Sequence, residues 1–445
     1  MSRYKPYPAY KDSGTEWLGE VPEGWDVRRM ATMFREAIRP GDPDLPILSI
    51  SSHYGITDYE IAPEDRDRRV SQIEDKTNYK RVEPGDLAYN TMAAWQGALG
   101  AVTVDGLVSP AYVVAEPTWN FYTKYIEHLL RTPMAIEEMR RYSRGIADFR
   151  MRLYWDYFRD LKGCLPPKNE QHAIAANIDH ETSFIDTLIQ KNTKLMELLK
   201  EKRSALITYA VTKGLDPNAK MKDSGVEWIG EMPEGWEICS LKYVLEETNS
   251  GGTPDTENHE FWCSENGGTP WVSISDMSNT ELVYKTQKFV TEKGINSKRL
   301  KVFPKKTLLF SMYASLGHIA ELNMAATTNQ AILGLVPNSE IVNHGFLKRW
   351  LQSVQPYLII NASNATQDNL NAEKVKNLPC VKLSISEQSA IATFLDHETA
   401  SIDTLIAKTK LSIDILKERR SAFITAAVTG QIDVRDNNYI DWDKI

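Results

Sequence analysis

The sequence has little of what metal, disulfide and membrane chemistry need. Its four cysteines, Cys164, Cys239, Cys263 and Cys380, are scattered through 445 residues with no Cys-x-x-Cys pair. That excludes a zinc ribbon and argues against a disulfide framework, so reduced thiols are expected. No apolar run approaches the ~20 residues that cross a bilayer. Met1 to Tyr10 lacks the apolar core of an export signal, and a cytoplasmic protein without membrane contact is expected. No glycine is followed by lysine and there is no Asn-Pro-Pro-aromatic turn, which removes the phosphate-cradling loop and the flipped-adenine pocket of methyl transfer. Pro43-Asp44 with Glu74-Asp75-Lys76 offers carboxylates for a magnesium-dependent nuclease, but Gly41 to Asp44 is also an ordinary turn, and the turn is the expected reading. His180 and His397 each sit in Asp-His-Glu-Thr without a second histidine four residues on, so helix-start capping is expected there rather than metal binding. No catalytic residue, metal or cofactor of this chain is expected.

Excess basic charge is also missing. The 52 Lys and Arg face 60 Asp and Glu, a net charge of −8. A field of that sign repels nucleic acid, so any DNA contact must rest on local basic surfaces or a basic partner.

What the sequence does hold is itself twice. Lys11–Asp26 (KDSGTEWLGEVPEGWD) and Lys222–Glu237 (KDSGVEWIGEMPEGWE) agree at 12 of 16 positions. Glu170–Thr212 and Glu387–Thr429 agree at 26 of 43, including EQ, DHET, IDTLI and the RSA tail. The segments between are faintly related: Pro84, Met92, Ala94, Gly97, Ala111 and Pro117 match Pro304, Met312, Ala314, Gly317, Ala331 and Pro337 at one offset of 220. A period this long indicates a duplicated module rather than a solenoid. The expected order is a first body over 1–165, a conserved helix over 166–214, a second body over 215–380, a distal helix over 381–435 and a tail over 436–445.

The bodies alternate short β-rich runs with turn signals, at Leu45–Ser51, Asp86–Asn90, Leu107–Ala115, Trp271–Ser275, Thr307–Ser311 and Ala331–Val336. This predicts mainly antiparallel sheets with helices such as Tyr122–Arg131 and Phe346–Leu358 packed on them. The repeated segments predict long helices of about 36 residues, or roughly 50 Å. A seven-residue spacing aligns Ile178, Ile185, Asn192, Leu199 and Leu206 in one seam, with Leu188 and Leu195 at the other between Glu181 and Lys202. The second copy aligns Leu395, Ile402, Thr409, Leu416 and Phe423, with Leu405 at the other position. The expected fold is therefore α+β, with two β-rich bodies separated by an antiparallel coiled coil with internal pseudo-two-fold symmetry. Ordinary amphipathic core helices are the plainer alternative.

The motif S-G-x-E-W-[LI]-G-E-x-P-E-G-W, the E-Q-x-x-I-A helix start and the R-S-A-[LF]-I-T-x-A-V-T tail resemble the specificity subunit of type I restriction–modification systems. Gly251-Gly252-Thr253-Pro254, Thr328-Asn329-Gln330 and Ala365-Thr366-Gln367-Asp368-Asn369-Leu370 strengthen the likeness. In the first body Pro84 to Leu87 and Ser109 to Tyr112 follow the same plan, while Gly145-Ile146 replaces the Ala365 to Gln367 type of turn. The resemblance implies two target-recognition domains reading a bipartite double-stranded DNA site with an undefined spacer. It implies no catalysis by this chain, which scaffolds two methyltransferase subunits and up to two restriction subunits. S-adenosylmethionine, ATP and Mg belong to those partners, which methylate adenine in the site and cleave unmodified DNA.

Two basic clusters fit that reading. Arg140, Arg141, Arg144, Arg150 and Arg152 lie in the first body beside one acid, Asp148, and Lys285–Lys306 holds eight basic residues against Glu292 alone. Base edges are read by amides, arginines and small hydroxyls beside glycine-rich turns. The candidates are Asn90, Trp95, Gln96, Ser109, Tyr112, Arg144 and Arg150 in the first body. In the second they are Thr253, Ser275, Ser311, Asn329, Gln330, Thr366 and Gln367. For each, a turn-stabilising role is the alternative. Trp17, Trp25, Trp228 and Trp236 are kept in both copies while the bodies diverge, which marks them as packing residues. A pseudo-symmetric coiled-coil scaffold that binds proteins rather than DNA is the alternative for the whole chain.

Overall fold

The computed structural model describes residues 4–52, 55–59, 76–145, 151–264, 267–278, 280–313, 315–364 and 370–435. They form two compact units, Met1–Thr193 with Leu411–Ile445, and Lys194–Lys410.

In the first unit an antiparallel sheet runs Phe34–Glu36, Tyr112–Pro117, Leu87–Asn90, Leu99–Ala101. The expected single strand Leu107–Ala115 is two, Gly106–Val108 and Tyr112–Pro117, because Pro110 cannot donate to a ladder and breaks the run. Helices Thr123–Leu130 and Pro133–Tyr142 pack on the sheet. The second starts cleanly, with the Thr132 side chain accepting from the Ala135 amide and Pro133 supplying the preset φ of a first turn. The core joins Trp25, Phe34, Leu87, Tyr89 and Tyr125 to Ile174 and Ile178 from the start of one long helix and Ala427 and Val428 from the end of the other.

The second unit has a five-stranded sheet, Leu245–Ser250, Ile332–Pro337, Leu308–Ser311, Ile319–Leu322, Leu282–Val283, whose last pair is parallel. A smaller sheet holds Trp262–Cys263, Lys288–Val290, Thr269–Val272 and Thr327–Thr328. Trp271–Ser275 is not one strand: the chain leaves the sheet after Val272 and turns into helix Ile274–Met277. A Ser273/Asp276 capping box starts that helix. The unit's core joins Trp236, Leu308, Phe310, Phe346 and Trp350 to Ile207, Ala210 and Val211 from the end of the first long helix. Ile391 and Leu395 come from the start of the second.

The long helices span Lys168–Lys213 and Ile385–Val428, 46 and 44 residues. They exceed the expected length because they begin before the EQ pair rather than at DHET. His180 and His397 therefore lie within helix, beside Glu181 and Glu398, and cap nothing. Among the described residues no cluster of three His, Cys, Asp or Glu could hold a metal.

Of the expected seam positions, Ile178, Ile185, Leu395, Ile402 and Thr409 are buried, and Leu188, Asn192, Leu199 and Leu416 are half-buried. Asn192 donates back to Leu188 O at 2.9 Å. Leu195 and Leu405 are 46% and 50% exposed, so the second seam lies one residue later. It runs through Thr182, Ile189, Met196 and Arg203 in one helix, and through Ala392, Thr399, Ile406, Ile413 and Arg420 in the other, all buried or half-buried. Polar residues hide this row from a hydrophobic count. Thr182 and Thr399 satisfy their hydroxyls on Ile178 O and Leu395 O, at 2.7 and 2.6 Å, so burying them carries no unmade hydrogen bond.

Candidate nucleic-acid interface

Each body is fastened to its helices by the repeated residues. Trp25 and Trp236, both nearly fully buried, donate from Nε1 to Glu170 and Glu387 Oε1 at 3.0 Å each. Gln171 and Gln388 accept from the Tyr122 and Asn343 amides at 2.8 and 2.7 Å. The leading motif and the EQ pair are therefore one device: the tryptophan seats the body and the carboxylate answers its only polar atom. Tyr7 also donates to Glu170, and burial together with that carboxylate drives its phenol far above the ordinary range.

The bodies differ where the repeat fades. In the second unit Gly251 N donates to Ile332 O at 3.3 Å and Gly252 N to Thr328 O at 2.9 Å. A Cβ on Gly251 would sit 1.9 Å from Thr328 O, so only glycine permits this approach. The approach sets Thr253 against Gln330, with the Thr253 hydroxyl donating to Oε1 at 2.6 Å. Gln330 is exposed, and its amide nitrogen retains its donors. Asn329 accepts from the Ala331 amide at 3.1 Å and so shapes the turn beside it. Ser275 is exposed and bonds Ser273 at 2.8 Å. Ser311 is fully buried and donates to Tyr313 O at 2.6 Å, so it holds a turn and does not face a ligand. Thr366 and Gln367 lie outside the described residues.

The basic run of this unit lies close by. Lys298 Cβ is 3.7 Å from where a Gly252 Cβ would be. Asp276 accepts from the Gln287 amide at 3.0 Å and ties the start of the run to the Ser273–Asp276 turn. Lys288 lies over the Trp262 ring at 5.4 Å. Lys293 and Lys301 pair with Glu260 and Glu247. Lys285, Lys298, Arg299, Lys305 and Lys306 are exposed and have no carboxylate partner among the described residues. Unpaired cations beside a rigid amide–hydroxyl pair have the chemistry to hold phosphates and present donors to a base edge.

In the first unit Asn90 and Tyr112 are register partners. Asn90 Oδ1 accepts from the Met92 amide at 3.0 Å, and Trp95 donates to Met92 O at 3.1 Å. The Arg140 guanidinium lies 5.8 Å from the Trp95 ring centre, and Arg144 5.1 Å from that of Tyr157. Arg144 and Arg152 exchange backbone hydrogen bonds of 2.9 Å. Gln96 is exposed on the same turn, while Ser109 is half-buried and caps the Ala111 amide at 3.4 Å. Tyr112 is half-buried, and burial first, then nearby Tyr79, raises its phenol. The turn of 91–97 thus holds Trp95 and Gln96 beside Asn90, with Arg140 against the Trp95 ring and Arg144 against Tyr157. Arg150 lies outside the described residues, as do Glu74 and Asp75 of the candidate magnesium carboxylates.

One feature of the helices escaped the hydrophobic pattern. Arg203 pairs with Asp403 at 2.8 Å within the second unit, and Arg420 with Asp186 at 2.8 Å within the first. All four are identities between the copies, which was the available signal. Arg203 also meets Glu281 at 2.7 Å, and Lys348 and Arg349 reach the same carboxylate at 3.3 and 3.7 Å. Burial pushes Glu281 up, but these three cations outweigh it and hold the carboxyl below its usual range.

Residues 233–414 match the family model of the type I restriction modification DNA specificity domain. The putative type I restriction enzyme MjaX specificity subunit of Methanocaldococcus jannaschii is 22% identical over 94% of this chain and 96% of its own length. The MjaIX specificity subunit of the same organism is 28% identical over 43% of each chain, so this chain spans less than half of that relative's length. A chain solved in work on complex assembly and conformational transition of the type I R-M system covers 92% of this chain with a TM-score of 0.69 at 17% identity, a likeness of fold. The duplicated plan and the seated tryptophans accompany these matches: residues 233–414 match the type I restriction modification DNA specificity domain, and the chain over most of its length is similar to specificity subunits of type I restriction–modification systems.

Proposed function

We propose that each unit reads one half of a bipartite DNA target and that the two long helices set the spacer between the halves. The observation that carries this is the contrast within the duplication. The seating contacts of Trp25 with Glu170 and Trp236 with Glu387 are the same to 0.1 Å, while the polar side chains of the bodies they support differ. Gly251, Thr253, Gln330 and the exposed lysines serve the second half-site. Asn90, Trp95, Gln96, Arg140 and Arg144 serve the first. Phosphate contacts by the basic residues position each body, and the amides and hydroxyls discriminate bases.

The helices also offer partner surfaces. Leu195 and Leu198 are 46% and 49% exposed in one unit, and Leu411 and Ile415 are 60% and 54% exposed in the other. Leu198 and Ile415 are equivalent positions of the repeat, which supports two methyltransferase subunits per chain, with up to two restriction subunits joining them. S-adenosylmethionine, ATP and Mg reside on those partners in this reading. No helix among the described residues is long and apolar enough to cross a membrane, and the assembly works in the cytoplasm.

Adenine methylation mapped in cells that co-express this chain and a methyltransferase it binds tests the proposal. A split motif that vanishes when this chain is omitted is the expected result. A stable complex without any sequence motif would leave the chain a protein scaffold.

A further inference from the structure

The second body opens with strand Glu237–Ser240 and closes with Pro379–Lys382, paired antiparallel so that Cys239 faces Cys380. Leu241 N donates to Leu378 O at 2.9 Å two registers along, which makes the cysteines a hydrogen-bonded pair of the ladder. Such pairs have Cα atoms about 5.5 Å apart with side chains on one face, within the separation that a disulfide spans. The duplication supplies its own control. The equivalent strands of the first body, Asp26–Arg29 and Lys162–Leu165, place Arg28 opposite Gly163. In the ladders the other two cysteines face no sulfur: Cys164 lies opposite Val27 and Cys263 opposite Phe289.

We propose that Cys239 and Cys380 are a redox-active cross-strand dithiol, oxidised to an intramolecular disulfide that ties together the strands opening and closing the second body. Cys239 is half-buried and Cys380 fully buried, so the reaction has an order. The Cys380 thiol donates to Val381 O at 3.7 Å, its nearness draws Cys239 down to about 7, and the accessible partner is the nucleophile. With a small dialkyl disulfide as oxidant, the Cys239 thiolate attacks one sulfur and expels one thiolate. Cys380 then loses its proton, displaces the second thiolate and forms the Cys239–Cys380 bond. The protein dithiol loses two electrons and two protons, and the oxidant becomes two thiols. Burial drives Cys164 up to about 12, which keeps it out of the exchange.

Oxidised glutathione added to the native full-length chain, followed by thiol alkylation and peptide mass mapping, tests this. The expected product is one Cys239–Cys380 disulfide with Cys164 and Cys263 still alkylatable. Cys380→Ser should stop at a glutathione adduct on Cys239, Cys239→Ser should show neither adduct nor disulfide, and Cys263→Ser should oxidise like the parent. Wild-type protein that keeps both thiols, or keeps glutathione on Cys239 beside a free Cys380, would overturn the assignment, as would a disulfide to Cys164 or Cys263.

Discussion

Arg420 binds Asp186 through two hydrogen bonds of 2.8 and 3.2 Å, and the residues 217 positions away from each, Arg203 and Asp403, form the corresponding ion pair, with Nε 2.8 Å from the carboxylate and one hydrogen bond of 3.3 Å. Each pair joins one long helix to the other within its own unit. The two are not equal in consequence. Arg420 and Asp186 are 38% and 43% exposed, so solvent screening limits Arg420→Ala to about 0.5–1 kcal/mol. Arg203 is 18% exposed and also answers Glu281, and Arg203→Ala should cost about 1–3 kcal/mol by removing the nearest of that carboxylate's three cations together with the Asp403 pair. Urea unfolding of the two variants checks the ranking.

Glu281 gives a pH dependence of definite sign. Its folded-state value is depressed by Arg203, Lys348 and Arg349 against the burial that would raise it, so its contribution is present at neutral pH, above the unfolded value of about 4.3. That contribution fades as pH falls through the lower folded value. Glu281→Gln should therefore destabilise the chain at pH 7 and lose most of that difference near pH 3. Unfolding midpoints of both proteins at the two pH values measure it.

The seating contacts predict a modular defect. Trp236→Ala should cost about 3–5 kcal/mol from the lost buried ring, and Glu387→Gln about 1–2 kcal/mol from weakening the charge-assisted acceptor of the indole. Trp25→Ala and Glu170→Gln should behave alike in the first unit. Hydrogen exchange should show the lost protection in the substituted unit.

Gly251→Ala places a Cβ against Thr328 O and should disrupt the Thr253–Gln330 pair. The second half-site should be lost or relaxed while the first stays readable. Neutralising Lys298 and Arg299 together should lower the slope of log affinity on log salt by about 0.9 per lost phosphate contact, leaving base preference intact. Methylation mapping reads the first effect and DNA titration at several salt concentrations the second.

The long helices should act as a ruler. Four residues inserted into each add about one turn, or ~6 Å, and should lengthen the recognised spacer by one or two base pairs at ~3.4 Å each. An unchanged spacer in a folded protein would remove that role.

The duplication was fully legible in the sequence, and with it the α+β plan, the long helices and the seats at Trp25 and Trp236. The first seam was legible too, because Ile178, Ile185 and Ile402 combine apolarity with spacing. The second was not: Thr182, Thr399, Arg203 and Arg420 occupy it, and polar residues satisfied by backbone or by each other are invisible to a hydrophobic count. The sequence marked the runs Gly251 to Pro254 and Thr328 to Gln330, and the fold brings them together, yet Ser311 and Ser275 show the limit of residue type as a guide. One hydroxyl is buried in a turn and the other sits just inside a capped helix, and only the third dimension separates them. The Cys239–Cys380 pairing lay 141 positions apart and depended on strand register, which no spacing rule supplies.

The most direct test of two independent readers is exchange of residues 215–380 for the corresponding body of another family member, with the methylated motif mapped before and after. One half-site should change while the other half and the spacer stay as they were. Change in both halves, or in neither while the chimaera still assembles with its methyltransferase, would contradict the account.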